Sequence, residues 1–557
     1  MDITLIDVAL GRKKAETLLA GGRVVNVFTG EIEEKDVLLH GGRVAAVGDF
    51  GPADAETVVD LDGAYLLPGL IDAHVHIESS HMTPASFGRA VLEKGTTTVI
   101  ADPHEIANVA GAAGIDFMAA DAQNAPMDIF YMVPSSVPAT DKETAGAVLD
   151  SAATRELFRR HPEFLGLGEV MNVPGVLGGD GETAAKMKAA GERPLDGHFP
   201  LGGGRELAAF TAAGISSDHE SVSAAEGAEK LANGMTLLIR EGSSARNLET
   251  LLPAVSDHSH SRCCFCADDI SASDILTHGD MLNCLKKAVA FGMDAVRAVE
   301  MATINAARHY GLNGRGAIAP GYLADLVAVG DLVDFEIRNV WKNGALYRRE
   351  GTKGEKRRFG AFRLSGEPFR FPLPREGETR AAVIRAFPGQ IVTEKAVYPV
   401  DSLTEQGVSR LYVAERYGKN GNVGYGLIEG FGLTSGAIAS SVAHDSHNLL
   451  ILANDDDEAM FAAETVAAMG GGMAVVKNGR VLAEMALPVA GLMSDEDVET
   501  LAEKERRLNG SVSELGISMA APFMTLSFMA LPVVAKLKLT DRGLFDVEQF
   551  DFTPLYF

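Results

Sequence analysis

Between residues 69 and 268 the chain carries eight short apolar runs, at 69–76, 97–102, 128–133, 164–170, 195–198, 215–219, 235–240 and 263–268, with starts about 20 to 36 residues apart. Ala-, Leu- and Glu-rich stretches of helical character separate them. Apolar runs alternating with helical segments mark a parallel sheet covered on both faces. Eight such units in roughly 250 residues are what a (β/α)8 barrel requires, and that fold is expected for residues 67–313. In a barrel the chemistry gathers at the C-terminal ends of the strands, so the residues that close each run deserve the closest reading.

The flanks have a different texture. "GGRVVNVFTGEIEEKDVLLHGGRVAAVGDF" and "GRGAIAPGYLADLVAVGDLVDFEIRNVWKNGALY" alternate apolar and polar residues between Gly-rich turns, the pattern of small antiparallel sheets. Residues 1–66 and 314–348 are expected to build one small composite β-sandwich domain from both sides of the barrel. The basic segment 349–378, with its Gly and Pro, reads as a linker. Residues 379–557 carry strand and helix patterns of their own and are expected to form a separate C-terminal α+β domain. There "NDDDEAMFAAETVAAMGGG" has the acidic first turn and Gly stop of a helix. The apolar stretch 521–537 is interrupted by Thr, Ser, Lys and two prolines, so it reads as core rather than a membrane span.

Composition narrows the function. Lys and Arg number 50 against 76 Asp and Glu, a net charge of -26, which argues against a general binder of nucleic acid or anionic membrane. A small ligand or a metal remains compatible. The four cysteines are Cys263, Cys264, Cys266 and Cys284, three of them in one short segment. That spacing is no disulfide framework, and the N-terminus lacks a signal-peptide pattern, so a reducing, cytoplasmic setting is expected. In "CCFC" neighbouring residues face opposite ways along a strand, and the H-x-E…P-C-x-x-C signature of the zinc deaminases is absent. These cysteines read as small core residues.

The strongest chemical signal is "PGLIDAHVHIESS". His74 and His76 lie two apart at the end of the first run, so both imidazoles share one face and suit a divalent metal. Alone, an H-x-H pair reads more readily as two polar residues beside a loop. Further runs close on Glu169, His198, His219 and Asp268. Six nitrogen and oxygen donors, one of them a bridging carboxylate, suit two divalent ions such as Mn, Fe, Zn or Co.

This pattern resembles the amidohydrolase superfamily of metal-dependent hydrolases and, within it, the adenine deaminases. The stretches that carry the resemblance are "AHVHIESSHMTP", "ADPHEIANV", "GLGEVMN", "DGHFPLGG", "DHES", "REGS", "ADDISASDILTHG" and "SSVAHDSHN", spread over essentially the whole chain. The resemblance implies that His74, His76 and Asp268 hold one metal, that His198 and His219 hold the second, and that Glu169 bridges them. Many relatives bridge with a carboxylated Lys, so Glu at this position weakens a dihydroorotase- or hydantoinase-like reading. Asp269 follows Asp268 directly; strand alternation puts Cys264, Cys266 and Asp268 on one face, and the family pattern also favours Asp268. Mn or Fe is the metal pair the resemblance implies.

The activity implied is hydrolysis of free adenine to hypoxanthine and ammonia, in purine salvage, with a metal-bridged hydroxide attacking C6 and Asp268 as proton shuttle. Glu105, in "DPHE", is the candidate acid for the purine ring, with packing beside the site as its alternative role. His104, Arg240, Glu241 and His447 are candidate substrate contacts, Arg240 serving equally as a structural salt bridge. "VAHDSHN" supports the resemblance, but its spacing leaves the role of residues 444–448 open. A homodimer or higher homo-oligomer is implied, with no nucleic-acid or membrane partner. The rival readings are another amidohydrolase acting on a different heterocycle or cyclic amide, and a barrel serving only as a scaffold.

Overall fold

A computed structural model describes residues 2–349, 357–388, 390–519 and 521–557. Residues 350–356 of the expected linker lie outside the described residues. In the central region Leu70–His76, Thr96–Ala101 and Asp128–Tyr131 pair as parallel neighbours, and Asp268–Asp269 pairs parallel on the other edge of Leu70–His76. Leu167–Val170, Leu195–Gly197, Ser217–Asp218, Thr236–Arg240 and Cys263–Cys266 form a five-stranded parallel sheet. Two features link the borders of these sheets. Val133 pairs with Leu167 at one, and Cys263–Cys266 runs on into Asp268–Asp269 at the other.

Each of the eight apolar runs therefore holds a strand, in seven cases shorter than the run; Thr96–Ala101 matches run 97–102 in length, one residue earlier. Run 215–219 contracts to Ser217–Asp218, and run 195–198 to Leu195–Gly197. Leu70–His76, Thr96–Ala101 and Thr236–Arg240 are buried at every residue, as parallel strands with both faces covered must be.

A six-stranded sheet interleaves the flanks. Leu326–Val329 lies between Tyr65–Pro68 and Ile337–Lys342, antiparallel to both, and Arg23–Asn26 continues beyond Tyr65–Pro68. A second, four-stranded sheet contains Ala15–Ala20, Asp36–His40, Arg43–Gly48 and Ala55–Asp60. The helix Ile3–Ala9 has no counterpart in the sequence reading; Asp2 caps it, its carboxylate accepting from the Thr4 and Leu5 amides.

The C-terminal region is built on an eight-stranded sheet. Its side chains alternate as a two-faced sheet requires. Leu449, Ile451 and Ala453 pack with Ala459, Ala462 and Val466 of the helix Asp456–Met469, while Leu450 and Leu452 join the core that runs into the central region. That helix starts at an Asp455 cap and stops at Gly470, whose φ of 79° is the left-handed conformation that ends helices. Phe369 and Phe371, from the expected linker, pack around Tyr412 in the same core. Residues 521–537 form the short buried helix Pro522–Ser527 and the turn Phe528–Ala530. No helix among the described residues is long and apolar enough to cross a membrane.

Three contacts pin this region over the strand ends. Ser494 pairs with Met82 just past the first central strand. The Thr144 amide donates to Asp541 at 2.8 Å, and the Asn448 amide group donates to the Thr144 carbonyl at 2.9 Å. The loop 441–448, between Ala437–Ser440 and Leu449–Ala453, is thereby held against the mouth of the central strands.

Candidate metal and substrate site

His74 and His76 close the first central strand on one face, their Nε2 atoms 3.2 Å apart. His76 Nδ1 donates to the Asp102 carbonyl at 3.0 Å, which turns the Nε2 lone pair toward His74. Glu169 arrives from Leu167–Val170 with Oε1 2.7 Å from His76 Nε2 and 3.1 Å from His74 Nε2. Asp268 Oδ1 completes this half at 3.2 Å from His76 Nε2 and 3.6 Å from His74 Nε2. The other carboxylate oxygen of Glu169 faces a second pair. His198 Nδ1 lies 2.9 Å from Oε2 and His219 Nε2 lies 3.8 Å from it.

Two donor groups thus share one carboxylate: His74, His76, Glu169 and Asp268 on one side, and Glu169, His198 and His219 on the other, with the donor atoms of each within 4.8 Å of one another. All six sequence-expected ligands are brought together. Their chemistry fits divalent cations of borderline hardness. Glu169 Oε1 is buried without a hydrogen-bond partner among the described residues, as an oxygen reserved for a cation would be. Burial pushes the Glu169 carboxyl up, but the His76 and His219 imidazoles and a hydrogen bond from His198 hold it well below the usual range. Asp268 behaves alike: burial opposes ionisation, and His74, His76 and Arg240 favour it. Its φ of 60° is uncommon for a residue other than Gly and sits where the strand bends at the site.

A second imidazole–carboxylate cluster lies alongside. Glu105 lies in the first turn of the helix His104–Ala122 and is buried. His444 Nδ1 contacts its Oε1 at 2.5 Å, and His447 Nε2 contacts its Oε2 at short range. Burial disfavours the anion, yet His444, His447 and His104 keep Glu105 well below the usual carboxyl range. His104 stands between the clusters, its Nδ1 3.7 Å from Glu169 Oε1, its Nε2 3.4 Å from Glu105 Oε1, and its ring edge-on to His76. His104 Nδ1, both Asp102 carboxylate oxygens and Asp445 Oδ2 are buried without hydrogen-bond partners among the described residues.

The remaining candidates are committed elsewhere. Arg240 binds the Glu220 carboxylate through both terminal nitrogens, Asp268 Oδ2 at 2.9 Å and Asn247 Oδ1 at 2.9 Å. Glu241 turns to Lys287 Nζ at 2.5 Å and to the Leu248 amide. His447 Nδ1 accepts from the Ala443 amide at 3.1 Å, so both its ring nitrogens are in use. All three thus have protein partners among the described residues. Cys264 and Cys266 pack with Ile71, Ala73 and Met132, and burial pushes their thiols well above the ordinary range.

The sequence reading missed several groups. Glu220 lies one residue beyond His219 in "DHES" and pairs with Arg240. Asp102, in "ADPHE", follows the strand Thr96–Ala101 directly, a strand-end position that could have flagged it. Lys230 is fully buried, with its Nζ 2.5 Å from Asp218, 2.8 Å from Glu226 and 2.8 Å from the Phe199 carbonyl. It ties together the residues beside His198 and His219.

Comparison with known proteins agrees with this arrangement. The amidohydrolase family model matches residues 65–347, and the adenine deaminase C-terminal domain model matches residues 390–551. Adenine deaminase of Dehalococcoides mccartyi strain 195 is 44% identical, over 99% of this chain and 98% of its own. That of Desulfatibacillum aliphaticivorans is 42% identical over 100% of both chains. Adenine deaminase 2 of Carboxydothermus hydrogenoformans is 44% identical over 99% of each. With a strand-end donor set intact and relatives matching from end to end, this chain belongs to the adenine deaminase family of amidohydrolases.

Proposed function

We propose that the chain hydrolyses free adenine to hypoxanthine and ammonia. The carrying observation is Glu169, whose two oxygens face separate imidazole groups in a chain of this family. His74, His76 and Asp268 would hold one ion and His198 and His219 the other, with Glu169 between them; Mn or Fe fits this donor set. When bound, the ions lower the pKa of a water toward neutrality and so supply a nucleophile. We read the eight strands as a closed (β/α)8 barrel, supported by the Val133–Leu167 and Val75–Asp268 pairings at its borders. A cytoplasmic role in purine salvage is in keeping with four free, buried thiols.

The protein's own groups divide the proton work. Water adds at C6, a ring nitrogen gains a proton, and the amine leaves as ammonia with another. Asp268 is anchored through Oδ2 to Arg240, while Oδ1 faces the donor cluster. It accepts the water's proton and passes one to the departing amine. Glu105 serves the ring nitrogen. It rests as an anion held by His444 Nδ1 at 2.5 Å and by His447, and the proton it hands to the ring nitrogen comes to it from the attacking water, whose two protons end on the ring nitrogen and in ammonia. The unpartnered acceptors of Asp102 and Asp445 line the same region and suit the N–H groups of a purine.

The test is ammonia release from adenine by Mn²⁺-reconstituted protein, with adenosine and cytosine in parallel and metal counted. Release from adenine alone supports the proposal. No release with two metals bound hands the substrate to another amidohydrolase reaction, and failure to bind metal at all favours a scaffold.

A further inference from the structure

The loop 443–448 belongs to the C-terminal region, yet its two histidines close on a carboxylate of the central region more than 330 residues away, with separations of 339 and 342. Their roles follow from where the ring protons must sit. His447 Nδ1 accepts the Ala443 N–H, so in the neutral ring the proton is on Nε2, which donates to Glu105 Oε2. This argues against a third metal at Glu105, His444 and His447, since the His447 lone pair that would bind it is already spent. His444 donates from Nδ1 to Oε1, and its ring lies flat on Phe528 at 4.6 Å with planes 12° apart.

The loop itself is anchored. The His444 amide donates to the Ser527 carbonyl at 3.0 Å. Arg416, fully buried, donates from Nε to the His447 carbonyl and from Nη2 to the Ala490 carbonyl at 2.9 Å. His447 has a φ of 52°, which turns its ring back toward the Glu105 side. With one oxygen on each imidazole, Glu105 is fixed in rotation as well as in place. A carboxylate on the first turn of a helix with neither partner would be free to swing.

We propose that His444 and His447 are positioning residues that hold Glu105 in register with the substrate, so the C-terminal region completes the active site rather than merely covering it. The inference rests on the proposed role of Glu105. Burial and the His444 charge pull the His447 imidazole down to about 4, so the ring is neutral near pH 7, in keeping with a fixed Nε2–H donor.

The experiment uses the full-length, Mn²⁺-reconstituted protein and the variants H447L, H447Q, H444L, H444N, E105Q and E105Q/H447L. Gln reproduces an Nε2–H donor and Asn an Nδ1–H donor. Losing a hydrogen bond to a charged group should lower kcat by about 10- to 100-fold in H447L. KM for adenine should change little, and two metals should remain per chain. H447Q should recover most of the loss, and H444N should do better than H444L. In the E105Q background the H447L change should have no further effect, because its target is gone. The clamp is overturned if E105Q is impaired while H447L turns over normally. It is also overturned if H447Q is as impaired as H447L, or if the E105Q and H447L losses multiply. Full activity in E105Q would instead remove the role of Glu105, and the clamp's purpose with it.

Discussion

Glu169 and Glu105 are two buried carboxylates that each present both oxygens to imidazoles, and they make opposite demands. Around Glu169 the imidazole nitrogens converge. His74 Nε2 and His76 Nε2 lie 3.2 Å from each other and both lie beside Oε1, with the His76 proton already committed to the Asp102 carbonyl. Hydrogen bonds alone do not satisfy such crowded lone pairs, and cations do. Around Glu105 the backbone amide of Ala443 assigns the His447 proton, and each imidazole donates to its own oxygen. One arrangement of His and Glu asks for metal and the other is complete without it. Residue type does not separate them; the partner of the second ring nitrogen does.

The largest expected effect breaks the Glu169 side. Glu169→Gln removes the shared anion from both donor groups, so metal content and adenine turnover should fall together. Metal analysis beside an ammonia assay checks this. A variant that keeps two metals per chain would show that Glu169 is not the bridge. Because Glu105 needs no cation, Glu105→Gln should leave metal content at the parental value.

Next comes Asp268, which belongs to the metal side but does the proton work. Asp268→Asn keeps an oxygen toward His76, at the expense of the acceptor that faces Arg240, and cannot accept a proton. Turnover should fall by about 10²- to 10⁴-fold, with a much smaller change in KM for adenine. Steady-state kinetics on variant loaded with Mn²⁺ decide it, and near-normal kcat would end the shuttle assignment.

Much of this contrast could be read in the sequence on one side only. The ligands of the Glu169 cluster close five separate strands or the loops just after them, and a strand end is a position that alternation and run length reveal. His74 and His76 needed only the i, i+2 rule. The Glu105 clamp joins a helix start to a loop 339 residues on. No period or spacing links such positions, so "VAHDSHN" stood out without declaring a partner. Arg240 and Glu241 also illustrate the limit. Strand ends bring them near the site, but whether a side chain faces a substrate or a neighbour such as Glu220 or Lys287 depends on packing between helices and strands.

Each cluster also has a fully buried lysine behind it, and these differ in the same instructive way. Lys230 backs the His198 and His219 side, with Asp218, Glu226 and the Phe199 carbonyl as partners. Lys230→Met leaves two carboxylates buried without their cation, and breaking such a pair costs about 3–5 kcal/mol. A clear drop in melting temperature is expected, with weakened retention of one of the two metals on dialysis. Unchanged melting and two retained metals would show that the strand ends hold without it.

Lys538 stands behind the clamp and has no carboxylate partner among the described residues. Its Nζ donates to the Ile391 carbonyl at 2.7 Å and to the Phe528 carbonyl at 2.9 Å, beneath the ring that stacks on His444. Burial alone pulls its pKa from 10.5 down to about 7. Between those two values the unfolded chain binds a proton that the folded chain releases, so this residue's contribution to stability rises with pH from about 7 to about 10.5. Below pH 7 both states are protonated and the fold carries a buried ammonium. Lys538→Met removes that dependence but also leaves two carbonyls unpaired, at a cost of about 1–3 kcal/mol. The sign at any one pH is therefore set by two opposing terms, whereas the slope is set by the amine alone. Melting temperatures of parent and variant at pH 6.5 and 9.5 isolate it. The variant should compare better with the parent at the lower pH than at the higher. A difference that does not change with pH would mean that the amine keeps its charge in the fold, and that carbonyl oxygens alone can hold a buried ammonium behind the clamp.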